Sequence, residues 1–413
     1  LLAFLLAGLR PPARGWPIGL SVPTTPMLAP GGTALHSRTL VMALLVACCV
    51  APGCRSLMAA SDAVLSWVAP FTVNTPATAD LLGRSVGVAD EVLLAERITL
   101  SPGWRLATYA ADLRHPRFLA WTSAGDLLVT LPRTGEVMLL ERDRDGGGRA
   151  DGRRVLVDGL DAVQGIALHE GWLYLGQPTR LSRTRFDAES GELLGEPETI
   201  ATLPMTSHHV RTVRFDPEGW LYTGIGANCN VCESDDPEQS SILRMRPDGS
   251  ERHVFASGIR NAESMAWHPR SGALYAVDAC RDLLGDDFPP EELNLIREGA
   301  FYGFPYANGA RIPDPDFGDV RPDLVERSEV PAHEFAAHTT PLGITFLRGD
   351  AIPESHRGAL LVALHGSWNR SEKQGYKVVS LHWDETGEIH ERDFVAGFEL
   401  DEDVIGRPVD VAE

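Results

Sequence analysis

The sequence predicts an all-β protein, a six-bladed β-propeller whose last blade is truncated at the C-terminus. Three observations carry this. One pattern recurs from about residue 101: an apolar strand, a Gly-containing turn, then a second apolar strand ending in small or polar residues. Its first four starts lie about 47 to 51 residues apart, close to the span of a four-stranded blade. With 40 Gly and 29 Pro in 413 residues and 44% apolar content, the composition suits a turn-rich globular chain, not a disordered one.

Residues 1–54 are predicted to be a leader. Leu40–Cys48 is an apolar run too short to span a bilayer comfortably but suited to a signal sequence, with a single membrane anchor as the alternative. Leu45-Val46-Ala47-Cys48 has the form of a bacterial lipobox, so Cys48 is the candidate lipidated residue; Ala51-Pro52-Gly53-Cys54 is a poorer second. Met27 is a candidate start, with residues 1–26 as extra sequence. Either way the body is expected to be exported, as a periplasmic or cell-envelope lipoprotein. Residues 55–100 carry no motif and read as a tether and lead-in.

The propeller is expected over residues 101–413. Its first copies are Arg117–Thr130, Gln164–Gly176, Thr212–Gly224 and Glu263–Val277. A fifth runs from Leu342 to Phe346 and resumes at Gly358–Ala363, and a sixth begins at Arg407–Val411. Turns such as Ala124-Gly125-Asp126 and Glu218-Gly219 fit antiparallel hairpins. The later spacings stretch, which implies loops inserted between residues 281 and 340 and around 365–375; such loops in a compact repeat tend to be functional or disordered. Segment 96–110 is expected to lend a strand that closes the ring, since raw strand edges aggregate.

A formal charge of −20 argues against a nucleic-acid partner, which needs clustered Lys and Arg. Six cysteines are too few for a disulfide scaffold. Cys229-Asn-Val-Cys232 lacks a second pair at zinc-finger spacing, so in an exported chain a small disulfide ring is expected, leaving Cys280 free. Asp143-Arg-Asp145-Gly-Gly-Gly148-Arg-Ala-Asp151 reads first as a hairpin turn and second as a weak calcium loop lacking one carboxylate. Asn369-Arg-Ser371 matches a glycosylation acceptor, taken as a chance match.

Innermost propeller strands start near the central channel, and chemistry-bearing residues precede several of them. Ser207-His208-His209 leads into the third copy and Gly258-Ile259-Arg260-Asn261 into the fourth. Two further loops carry Glu292–Pro305 and His365-Gly-Ser-Trp-Asn-Arg370. A histidine there suits proton abstraction, because its ordinary pKa lies near neutrality.

These motifs, with Arg133-Thr134-Gly135 and Gly406-Arg407-Pro408-Val409-Asp410-Val411, resemble those of the soluble glucose/sorbosone dehydrogenases, over roughly residues 101–413. Those are six-bladed propellers that use pyrroloquinoline quinone (PQQ) with Ca²⁺; the Cys-Asn-Val-Cys and His-Gly-Ser-Trp-Asn-Arg loops look most like the sorbosone-type branch. The resemblance implies that His208 (His209 if the register slips) takes a hydroxyl proton while hydride passes to the quinone. It implies that Arg260 stabilises charge on the quinone oxygens, that Asn261 binds the cofactor and that Arg407 pairs with its carboxylates. Asn228, Tyr302, His365 and Arg370 complete the expected cofactor-binding set, with Tyr302 and Phe304 walling the site. Ungapped alignment puts Asp286 and Asp287 at the calcium position, where the family uses backbone carbonyls of a Gly-Pro pair. The chain departs from the family pattern at Gly226-Ala227-Asn228 (Gly-Asp-Gln there), at His365 (Lys), at Ala279-Cys280 (Asn-Gly) and at Leu283 (Trp).

The implied activity is PQQ-dependent oxidation of a sugar or related alcohol or aldehyde, with electrons leaving to a cytochrome or quinone. Two alternatives stand beside it: a calcium-dependent propeller lactonase and a non-catalytic binding propeller.

Overall fold

The structure, a computed structural model, describes residues 89–413 and the backbone of Ala3–Leu6. The predicted leader with Cys48 and Cys54, and most of the tether, lie outside the described residues.

Five antiparallel sheets follow one another along the chain, each built mainly from strands close in sequence. The first blade is Leu119–Trp121, Leu127–Leu131, Glu136–Leu140 and Arg153–Val157. The second holds Ile166–His169, Trp172–Gln177 and Arg180–Asp187, with Glu192–Leu193 and Glu198–Thr202 both pairing along the last. Arg214–Phe215, Leu221–Ile225, Ser241–Met245 and His253–Ser257 make the third. Ala262–Trp267, Leu274–Asp278, Glu291–Ile296 and His333–Phe335 form the fourth. The fifth contains Pro341–Phe346, Leu360–Leu364, Lys377–Trp383 and Ile389–Ala396.

Burial alternates along strands at blade edges but forms an unbroken run through second strands such as Leu127–Leu131 and Leu360–Leu364. A strand covered by blades on both faces needs such a run. The core is accordingly divided into layers between neighbouring blades. Leu128, Leu139, Ile166 and Leu175 fill the first interface, Tyr174, Val213 and Leu243 the second, and Tyr222, Met265 and Ile296 the third. Val277, Leu293, Ile344 and Val379 fill the next. Fully burying each such side chain stabilises the fold by about 1.5–3 kcal/mol.

Two expectations are corrected. Five blade sheets are present among the described residues, not six. After Ala396 the chain offers two-residue pairings at Glu399–Leu400 and Asp403–Val404 and one longer strand, Pro408–Ala412, too little for a four-stranded sheet. That strand nonetheless takes an innermost position: Val409 packs with Leu342 of the fifth blade and Leu119 of the first, and the Leu119 amide donates to Asp410 at 2.8 Å. Its sheet partner is Ala3–Leu6. The lead-in, for its part, does not close the ring beside it. Thr99–Leu100 adds instead to the outer edge of the fifth blade, pairing with Ala396 and Val395. Trp104 explains the choice, because it packs edge-on against Phe394 of that blade, ring centroids 4.9 Å apart.

The anticipated insertions are found. Between the third and fourth strands of the fourth blade lie a short hairpin, Ala307–Asn308 with Ile312–Pro313, and a helix, Pro322–Arg327. The Cys229–Cys232 disulfide is formed and Cys280 is free, as expected. No helix among the described residues is long and apolar enough to cross a membrane.

Candidate active site

The loop before the third blade is held by a residue the sequence reading passed over. Arg211 is fully buried and clamps its own loop: Nη1 donates to the carbonyls of His208 and Val210, Nη2 to Pro204 and to Thr206 Oγ1, at 2.8–3.0 Å. Gly176 of the neighbouring blade makes room, since a Cβ there would lie 2.0 Å from the Arg211 carbonyl oxygen.

Clamped in this way, His208 points inward and His209 outward, where it is exposed. His208 Nδ1 lies 2.8 Å from the Ala227 carbonyl oxygen. A carbonyl can only accept, so the proton sits on Nδ1 and Nε2 is left as a bare acceptor. Burial, with the nearby Arg260 charge second, lowers the imidazole pKa from 6.5 to about 4. The ring is therefore neutral and proton-accepting at ordinary pH.

Arg260 is adjacent. Its carbonyl accepts from the Ala227 amide at 2.8 Å, so one residue bridges the histidine and the arginine. Gly226 permits this approach: a Cβ at that position would meet both His208 Cβ and Asn261 Oδ1 at 2.6 Å. The guanidinium is buried and held by Asn230, Ala279 and Asp282. Both backbone amides of Arg260 and Asn261 donate to the Asp278 carboxylate, at 2.9 and 2.6 Å, which fixes the turn.

From Arg260 a polar belt continues across blades. Asp282 faces His338 Nδ1 at 3.8 Å, and His338 Nε2 donates to the Gly285 carbonyl at 2.8 Å. Arg370 then donates to the Asp286 carbonyl and, at 3.0 Å, to the Asp287 carboxylate. Asp282 and His338 carry no sequence signal: neither stands in a repeat or motif, and His338 is placed by a left-handed backbone at φ 65°. On the far side, His365 Nδ1 donates to the Pro408 carbonyl at 2.9 Å, and Arg407 donates to the carbonyls of His365 and Gly366. Burial, then Arg407, hold the His365 imidazole well below its ordinary pKa.

Beneath this ring of donors the channel is bridged. Arg117, ahead of the first blade, reaches Glu263 of the fourth at 2.5 Å, and Glu263 also accepts from Asn261 at 2.6 Å. Arg214 of the third blade donates to the Ile166 carbonyl of the second at 3.5 Å and to Ser264 of the fourth at 3.4 Å.

Some expected site residues lie elsewhere. Tyr302 is a core residue between the third and fourth blades; its hydroxyl donates to the Leu295 carbonyl at 2.7 Å and accepts from the Arg297 amide. Phe304 is likewise buried, bonded through its amide to Gly258. Asn228 accepts from the Ser207 amide at 2.9 Å and so braces the histidine loop.

The donor set can be tested against the groups the resemblance implies. A planar quinone bearing carboxylates needs cations around it and, for alcohol oxidation, a proton acceptor. Arg260, Arg370 and Arg407 supply the cations, His208 Nε2 the proton acceptor, and the unpartnered buried Oδ1 of Asn369 a further acceptor for a ring N–H. PQQ therefore fits. Calcium at Asp286 and Asp287 does not. The Gly285 and Asp286 carbonyls are taken by His338 and Arg370, and the Asp286 carboxylate accepts from the Ser371 amide. A guanidinium thus already neutralises this corner, and nothing below is routed through a metal. Carboxylates that do gather within 4.8 Å include Asp143, Asp145 and Asp151 of the exposed turn, where Asp143 is occupied by the amides of Gly146, Gly147 and Gly148.

The belt rests on buried acids, with a consequence for stability. Burial raises Glu291 and Glu292 from 4.5 to about 8. Between those limits the folded state holds protons that the unfolded state releases, so stability falls as pH rises. His208 acts oppositely: the unfolded chain binds its proton between about 4 and 6.5, so stability rises with pH there. Above pH 6.5 the acids act alone. Melting temperature is therefore expected to decline between pH 6.5 and 8, and Glu292→Gln to flatten that slope; an unchanged slope would refute the assignment.

A sequence model of the family described as glucose/sorbosone dehydrogenase matches residues 113–382. An uncharacterised protein of Borreliella burgdorferi is 33% identical over 223 residues, 52% of this chain and 58% of that one. The aldose sugar dehydrogenase YliI of Escherichia coli is 25% identical over 173 residues, 36% of this chain and 43% of its own. The chain thus spans little more than half, or less, of these two relatives. Among solved structures, the holo PQQ domain of Coprinopsis cinerea pyranose dehydrogenase matches with TM-score 0.64 and 19% identity, over 76% of this chain and 91% of that one. The PQQ-bound aldose sugar dehydrogenase of Streptomyces coelicolor matches with TM-score 0.52 and 21% identity, over 72% and 84%. At these identities the structural likeness speaks for the propeller fold.

Proposed function

Because the chain belongs to the glucose/sorbosone dehydrogenase family, we propose that it is a PQQ-dependent oxidoreductase acting on a sugar or a related alcohol or aldehyde. The observation that carries this reading is a neutral histidine with a bare Nε2, set one residue's breadth from a buried arginine. When bound, PQQ would supply the two-electron acceptor. Arg260, Arg370 and Arg407 would hold its anionic edges, and charge developing there on reduction is stabilised by fixed cations in a site of low dielectric. His208 Nε2 takes the substrate hydroxyl proton; the Ala227 carbonyl keeps the other ring proton in place and fixes the ring's orientation. Arg211, through the loop carbonyls, keeps that histidine from swinging out. The five blade sheets and the added innermost strand Pro408–Ala412 remain part of this proposal. So do export and the cell envelope, which the Cys229–Cys232 disulfide favours. A lipid on Cys48 and a cytochrome or quinone as electron acceptor complete it.

The lactonase alternative calls for a metal centred in the channel. Arg117 and Arg214 reach across that region to other blades, and Glu263, a carboxylate that could serve a metal, is already bound to a guanidinium.

The purified chain is to be mixed with PQQ, with Ca²⁺ or with a chelator, and dye reduction by a panel of aldoses followed. PQQ-dependent turnover with one or more sugars is expected. No quinone binding and no turnover under either metal condition would sink the proposal, and quinone-independent lactone hydrolysis would favour the alternative.

A further inference from the structure

We infer that Asn230, presented by the Cys229–Cys232 ring, is the positioning residue that sets Arg260 beside His208. The inference rests on the dehydrogenase reading for its catalytic meaning, though not for its geometry. Asn230 gives Arg260 two acceptors on one edge: its carbonyl takes Nε–H at 2.9 Å and its Oδ1 takes Nη2–H at 3.0 Å. The same side chain is locked from behind. Oδ1 also accepts from the Asp282 amide at 2.8 Å, and Nδ2 donates to the Asp282 carbonyl at 3.1 Å. The side chain of Asn230 thus copies a backbone pairing with Asp282, and the guanidinium is seated against that pair.

The flanking cysteines explain why the hold is firm. Cys229 and Cys232 close a four-residue ring around Asn230, and beyond it Tyr306 donates to Glu233 at 2.8 Å. An arginine on a long, flexible stem gains a defined place only when its acceptors are themselves immobile. Without Asn230 the guanidinium keeps only the Ala279 carbonyl, 2.8 Å from Nη1, and a long contact to the Asp282 carboxylate at 3.4 Å, which leave it free to pivot. An asparagine is the residue suited to this task. An aspartate would lack the Nδ2 donor that the Asp282 carbonyl requires and would offset the positive charge of Arg260.

The experiment is a double-mutant cycle with two readouts. In the cofactor-free full chain, the His208 imidazole resonance is followed against pH. Charged groups facing it are Arg260, His209 and Arg211. Arg260→Ala is expected to raise the titration midpoint. Asn230→Ala should raise it in the same direction by less, and should add nothing in the Arg260→Ala background. In the second readout, quenching of tryptophan fluorescence by PQQ is expected to show affinity weakened about tenfold by Asn230→Ala, again with no further loss beyond Arg260→Ala. Asn230→Gln keeps the amide but displaces it by one methylene, and must behave as Asn230→Ala does; it serves if the alanine variant does not fold. Additive effects in the cycle, or a His208 midpoint untouched by either substitution, would overturn the inference. Should the parent chain not bind PQQ, the dehydrogenase reading fails, while the His208 titration still decides the role of Asn230.

Discussion

Replacing His208 by alanine is expected to lower PQQ-dependent turnover by about 10²–10⁴-fold, the range associated with a positioned general base. The protein should remain folded, because the loop is held by Arg211 through main-chain carbonyls and Thr206, not by the imidazole. His209→Ala provides the contrast: that ring is exposed and bonded only to the Ser207 carbonyl, so turnover should stay within about twofold. The pH profile offers a second check. With the imidazole pKa lowered toward 4, the base is already deprotonated above that value, so kcat/KM should begin to fall with acid well below pH 6.5. Equal losses for the two histidine variants, or an acid limb centred at 6.5, would remove His208 from the mechanism.

Arg117→Ala should cost about 3–5 kcal/mol of stability, the penalty for stranding a buried charge. Arg117 and Glu263 meet at 2.5 Å with side chains only 13% and 7% exposed, and the pair ties the first blade to the fourth across the channel. Arg117 also donates to the Val409 carbonyl at 3.2 Å, so the last strand loses an anchor at the same time. Burial raises the Glu263 pKa, Arg117 opposes the rise, and Asp278 adds to it. Without the arginine, the carboxyl faces Asp278 with only the Asn261 hydrogen bond and the Arg260 charge to offset it. A fall in melting temperature on the order of 10 °C is expected at pH 8. The loss should shrink in acid, where Glu263 takes up a proton and no buried charge is left. Arg117→Met combined with Glu263→Gln should recover most of it. A loss independent of pH, or none at all, would show that the bridge does not support the fold.

Much of the site was legible because a propeller places residues by rule. Residues just ahead of an innermost strand lie near the channel, so repeat register and the resemblance single out His208, Arg260, Asn261 and Arg407, and the resemblance adds His365 at the end of a second strand. Asn230, Arg211, Asp282 and His338 were not. They act on the site through hydrogen bonds and an ion pair to residues up to 56 positions away in sequence, which no local pattern encodes. Tyr302 was misplaced for a related reason: an aromatic beside a catalytic motif looks like a wall until its hydroxyl is seen bonded to Leu295 and Arg297. Ungapped alignment with the family puts Asp286 and Asp287 at the calcium position, whereas Arg370, more than 80 residues on, reaches both.

By itself the amino-acid sequence determined the all-β repeat, the blade order and the histidine–arginine pair. Strand period and turn chemistry are local properties, and their repetition at blade spacing leaves little choice of architecture. Only the tertiary structure decided which histidine faces inward, that five sheets form, and that an arginine sits where a cation was expected. Each of those outcomes is a competition among distant partners for the same buried donors and acceptors, and burial settles it.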